Sequence, residues 1–146
     1  MRRMLIVAAV LILAGCGKDS SGPSIPNLAG NWTYNTSNLT GAGLSCLSTG
    51  TTMVLTHSSS TAFTGTYSDG TLTCTSGGTP ESFAIGNGTI VSGTVGQTAV
   101  AFDMDTQDWH NTGNVSGRSM SGTVHVVFSD GVTTFVLNGN FSASHQ

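Results

Sequence analysis

Four stretches of this chain share one pattern, apolar–polar–Gly–polar–apolar. They are Phe63-Thr64-Gly65-Thr66-Tyr67, Val91-Ser92-Gly93-Thr94-Val95, Met120-Ser121-Gly122-Thr123-Val124 and Leu137-Asn138-Gly139-Asn140-Phe141. Apolar residue and glycine recur at period 2, so each stretch places them on one face of an extended strand. Glycine on the inner face lets a strand bend and coil sharply, as a small closed barrel requires. The pattern predicts an all-β fold, an up-and-down antiparallel β-barrel of about eight strands. Closure also removes free sheet edges that would otherwise pair with other chains. The last stretch sets the expected facing: Phe135, Leu137, Gly139 and Phe141 inward, Thr134, Val136, Asn138 and Asn140 outward.

Composition supports strands over helices. Charged residues make up 8% of the chain, and its 20 glycines are joined by abundant Thr, Ser and Asn. Thr favours strands, Gly, Asn and Ser favour turns, and the straight-chain helix formers Glu, Lys, Arg and Gln are nearly absent. Strands are expected over residues 28–35, 51–57, 62–68, 71–75, 81–85, 89–93, 98–104 and 132–142, with a hairpin through Gly117-Arg118 over 115–128. Residues 36–50 read as a long loop, Asp69-Gly70 and Asp130-Gly131 as tight turns, and Trp109 as a loop residue. Aromatic girdles are missing, and apolar residues and glycines share the predicted inner face, which argues against a membrane barrel.

The amino terminus carries a different signal. Arg2-Arg3 precedes the apolar run Met4–Leu13, then Ala14-Gly15-Cys16. The run is too short to span a bilayer core of about 30 Å, which takes roughly 20 helical residues, so it reads as an export signal. Leu13-Ala14-Gly15-Cys16 resembles the lipobox of bacterial lipoproteins at every position. That resemblance implies cleavage before Cys16 and diacylglycerol on its sulfur; no other cofactor is expected. It divides the chain into a signal peptide (1–15), a lipidated Cys with a polar, two-proline linker (16–27), and a barrel domain (28–146). It places the protein in the bacterial cell envelope, lipid-anchored, with the domain in the periplasm or at the surface. Gly17 and Lys18 after the cysteine resemble the sorting context of outer-membrane lipoproteins.

Cys46 and Cys74 then remain as an even pair in an oxidising compartment, and are read as a disulfide. Beyond the signal, Lys18 and Arg118 face all seven acids, which excludes a basic nucleic-acid surface.

Gly30-x-Trp32 in the first strand, followed later by Phe63-Thr64-Gly65-Thr66-Tyr67, looks like the lipocalin/avidin (calycin) group. The likeness covers residues 28–141 loosely. It implies a barrel that holds a small apolar ligand, with Tyr34, Tyr67, Phe102, Trp109 and Met120 as candidate lining residues. The avidin likeness would place Asn35, Tyr67 and Ser68 at polar ligand contacts. Lipocalins set an Arg or Lys late in the barrel over the first-strand Trp, whereas the last strand here has neither.

Catalytic signatures are missing. The chain has no Gly-x-Ser-x-Gly elbow, no His-Glu-x-x-His and no phosphate loop. Glu81 is its single Glu, which excludes a paired-Glu glycosidase. Asp103, Asp105 and Asp108 form the sharpest polar cluster and could offer oxygen ligands to Ca²⁺, but without the Gly and closing Glu of an EF-hand loop; the plainer reading is a solvated strand end, with no metal. His57, His125 and His145 lack metal-ligand spacing. The expectation is therefore a non-enzymatic anchored barrel that binds a small hydrophobic ligand. The alternative is a structural or protein-interaction lipoprotein with a filled barrel.

Overall fold

The computed structural model describes residues 24–104, 108–129 and 131–146. Its strands are β1 (Gly30–Gly41), β2 (Leu44–His57), β3 (Ala62–Ser68), β4 (Thr71–Ser76), β5 (Thr79–Ala84), β6 (Gly88–Val95), β7 (Ala99–Met104), β8 (Trp109–Ser116), β9 (Ser119–Ser129) and β10 (Thr134–His145). The sheet runs β1-β10-β9-β8-β7-β6-β3-β2, and a β1–β2 pairing closes it. All pairings are antiparallel, giving an eight-stranded up-and-down barrel with β4 and β5 attached beyond β2.

Residues 36–50 are strand rather than loop. They form the upper half of a long β1–β2 hairpin that turns at Ala42-Gly43, both with positive φ. Two-residue turns of that hand match the twist of flanking strands. A bulge near Thr36 leaves polar groups that Thr36 and Ser48 satisfy together: Thr36 Oγ1 donates to Ser48 Oγ at 2.8 Å and accepts from Ser48 N at 2.9 Å.

Asp69-Gly70 is not a reversal. β2 pairs with β3 and then, in the same register, with β4, so β3 and β4 are one strand kinked where Asp69 (φ 60°) and Gly70 (φ 90°) interrupt it. The same left-handed conformations that make a hairpin turn here make a bend, because Ser68 and Thr71 find partners on β2 instead of on each other. β5 and β6 copy the kink: Ile85 N donates to Gly70 O at 3.1 Å, and Asp69 N to Asn87 Oδ1 at 3.3 Å. Eight long strands therefore meander in order, and the outer parts of two of them, β4 and β5, leave the barrel as a flap.

The inner glycines serve close approach of backbones. A Cβ on Gly122 would strike the Thr112 carbonyl and Gly113, and one on Gly65 the Val54 carbonyl. One repeat departs from its expected facing: a bulge between Val91 and Thr94 turns Val91 outward while Gly93 and Val95 stay in. The last strand keeps its pattern, with Leu137 and Phe141 buried and Val136 and Asn138 exposed.

The interior is filled. Trp32, Tyr34, Phe63, Tyr67, Phe102, Met53, Ile90, Met104, Trp109 and Met120 are all within 2% of complete burial. Ring pairs such as Tyr34–Phe141 (5.9 Å), Phe102–Phe141 (5.7 Å) and Phe63–Phe102 (6.1 Å) carry contact across the barrel. Among the described residues, every strand pairing and every core residue falls within residues 28–145.

Candidate functional site

Strand direction sorts the connections to two ends. At one end lie residues 58–61, 96–98 and 117–118, the carboxyl terminus, and the segment that leads in through Leu28. Leu28 is fully buried there; its carbonyl accepts from Trp32 Nε1 at 2.8 Å, and its N–H donates to His57 Nε2 at 2.9 Å. His57 thus ties down the incoming chain. His145 of β10 lies edge-on to Trp32 at 5.0 Å, and Arg118 reaches His145 Nδ1 at 2.8 Å. A last-strand residue does cover the first-strand Trp, as the calycin likeness implies, but it is a histidine backed by Arg118.

The opposite end is open on one side. There the flap, the start of β2 and the neck of the β9–β10 hairpin enclose a cleft of about 390 Å³. The flap is two-faced by strand alternation. Thr71, Thr73, Thr75, Pro80 and Ser82 share one face, where Thr73 and Ser82 hydroxyls meet at 3.0 Å. Leu72, Cys74, Ser76, Thr79, Glu81 and Phe83 share the other. The cleft is lined by Cys74, Ser76, Thr79, Glu81 and Phe83 from that second face, Leu44, and Phe128 with Phe135. The last two rings stack at 4.9 Å. Phe83 is 51% exposed although it shares a face with buried Leu72 and Cys74. Val132, at the nearby hairpin, is 95% exposed.

The Cys46–Cys74 disulfide bonds residues that already pair directly between β2 and β4, with Cα atoms 4.0 Å apart. It fastens the flap to the barrel, and Cys74 forms part of the cleft wall. Cys16 lies outside the described residues.

The five residues expected to line a ligand site, Tyr34, Tyr67, Phe102, Trp109 and Met120, sit together inside the barrel at 0–2% exposure. Trp109 opens β8, paired with Met104 and Val126, rather than lying in a loop. Within the group, the Tyr34 hydroxyl donates to Asn111 Oδ1 at 2.7 Å. Burial holds the Tyr34 pKa well above the ordinary value of 10.0. The polar contacts suggested by avidins do not converge. Tyr67 points in, whereas Asn35 and Ser68 lie on the outer face, with Asn35 Oδ1 accepting from Gly50 N at 3.0 Å and Ser68 bonding Asp69.

Asp103 points outward and pairs with His110 at 2.8 Å, Asp108 has a positive φ just before β8, and Asp105 lies outside the described residues. His125, also outward, bonds Asn138 at 2.8 Å. Among the described residues no group of three or more His, Cys, Asp or Glu side chains is placed to hold a metal ion.

Sequence reasoning passed over the cleft residues Leu44, Glu81, Phe83, Phe128 and Phe135. The available signal was Glu81 itself, the single Glu of the chain, two residues from a Phe on the same strand face. The sequence matches no protein-family model, and no curated protein or solved structure is significantly similar to it. The structure supplies the closed eight-stranded antiparallel barrel that the calycin resemblance implies, with its apolar opening at the rim between flap and hairpin.

Proposed function

We propose that this chain is an exported, lipid-anchored, non-enzymatic binding protein that takes a small hydrophobic ligand at the barrel rim. The observation that carries the reading is the rim cleft: about 390 Å³, walled by Leu44, Phe83, Phe128 and Phe135. That is within the range of roughly 300–1,000 Å³ usual for small-molecule sites. Half-exposed Phe83 is an apolar surface that gains by being covered. The lipobox-like Leu13-Ala14-Gly15-Cys16 supports the anchoring. Glu81 is the lone ionisable group in the lining, set among the Ser76 and Thr79 hydroxyls and the apolar wall.

The test uses the neutral fluorophore N-phenyl-1-naphthylamine and the domain starting at Gly17. Its emission is expected to rise on binding, and Phe83→Ala is expected to weaken binding about tenfold with the circular dichroism unchanged. Binding that survives F83A undiminished would place the ligand elsewhere. The packed interior favours a second reading, a filled barrel acting as a structural or protein-interaction lipoprotein with other envelope proteins as partners. On that reading the fluorophore does not bind.

A further inference from the structure

The rim cleft carries one charge, and its position defines a ligand class. Glu81 and Phe83 stand two residues apart on the same face of β5, and both line the cleft. Two residues along a strand span about 6.6 Å. The site therefore presents a carboxylate a short distance from an aromatic wall completed by Phe128, Phe135 and Leu44. Among the described residues Glu81 takes part in no side-chain hydrogen bond or ion pair, and Arg118, their single Lys or Arg, is at the opposite end of the barrel. Ser76 and Thr79, also in the lining, are neutral hydroxyls. Among the described residues no Lys or Arg competes for the carboxylate.

We infer that the cleft selects a cationic amphiphile, an alkyl- or arylammonium whose hydrocarbon lies on Phe83, Phe128 and Phe135 and whose nitrogen meets Glu81. This rests on the rim-binding function proposed above and specifies its ligand. Three effects favour a cation there. The apolar wall lowers the local dielectric and strengthens the ion pair over one in open water. Phenyl faces attract ammonium groups through their quadrupoles. The described surface also carries Asp69, Asp103 and Asp108 against Arg118, so the domain's field favours approach of a positive ligand. An anionic amphiphile of equal length would meet the same hydrocarbon wall and be repelled by Glu81.

The experiment displaces N-phenyl-1-naphthylamine from the domain starting at Gly17 with octylammonium, 1-octanol and octanoate at pH 7, each below its aggregation concentration. These share a chain and differ in head charge. Octylammonium is expected to displace the fluorophore at a concentration about tenfold below that of octanol, with octanoate weakest. Added salt should narrow the gap, because the carboxylate is open to solvent. Glu81→Gln is expected to bring octylammonium to the level of octanol, each competitor being scaled to the variant's own fluorophore affinity. If the fluorophore binds but octylammonium and octanol compete equally, or E81Q leaves the octylammonium advantage intact, the cation preference is overturned and the apolar cleft stands. If the fluorophore does not bind at all, the rim site itself falls, and this inference with it.

Discussion

Tyr34 and Asn111 form a buried polar pair inside the barrel. The Tyr34 hydroxyl is paired with Asn111 Oδ1, and the Asn111 amide reaches the Phe102 and Trp109 carbonyls at 3.4 Å. Such a group is cheap while satisfied and costly when one partner is removed. Tyr34→Phe leaves a buried acceptor without its donor, and we expect a loss of about 1–3 kcal/mol in urea denaturation. The buried phenol also sets a pH dependence. Its folded-state pKa is raised above 10.0, so above pH 10 the unfolded chain has released a proton that the folded chain keeps. Stability from this residue is then complete below pH 10 and falls as pH rises past it. Urea midpoints measured from pH 8 to 11 should decline for the natural chain above pH 10 and decline less steeply for Y34F.

At the scale of elements, the flap is the part with the weakest claim on the barrel. β5 pairs with β4 alone, and all six of its residues are exposed. Its register gives the free edge some protection. Ser76 and Thr79 flank the Gly77-Gly78 turn as a hydrogen-bonded pair, so Pro80 turns its backbone toward the open edge, where it offers no N–H. What fastens the flap is β4 on β2 and the disulfide. Replacing Cys46 and Cys74 together by serine should cost up to about 3–4 kcal/mol in the chain-entropy model. The more diagnostic outcome is local. Hydrogen exchange is expected to accelerate across residues 71–84 and stay slow in β8 to β10, and fluorophore binding at the rim should weaken. Uniform acceleration over the whole sheet would mean that the disulfide holds the barrel rather than the flap.

At the scale of the molecule, the two ends of the barrel differ in structure. The chain leads in past Leu28, His57 and Trp32 at one end, and the apolar cleft opens at the other. A lipid on Cys16 would join the barrel through the linker at the Leu28 end, opposite the cleft. We expect Cys16→Ser to move the protein from the membrane fraction to the soluble fraction, and fluorophore affinity to be the same for anchored and soluble forms. Recovery of C16S in the membrane fraction would remove the lipid anchor. Weaker binding by the anchored form would show that the bilayer covers the cleft.

The fold class could be read from the chain because it depends on a local property. Period-2 alternation with inward glycines selects extended, coiled strands whatever their neighbours, and the facing of Leu137, Gly139 and Phe141 followed from it. The pairing of Cys46 with Cys74 could be read because only two thiols remained once Cys16 was assigned to lipid. Other features needed the partner strand. Asp69-Gly70 has the same left-handed backbone in a turn and in a kink, and pairing with β2 decided for the kink. Val91 fits the inward repeat by sequence, but a bulge rotates it out. Residues 36–50, rich in Gly, Ser and Thr, carry little strand signal of their own and are held extended by β10 and β4 on either side. The cleft is the furthest from the sequence: Leu44, Glu81, Phe83, Phe128 and Phe135 come from three separate stretches and become neighbours only when the sheet closes. Local periodicity determines which face of a strand is apolar; closure of the sheet determines which of those faces stays uncovered.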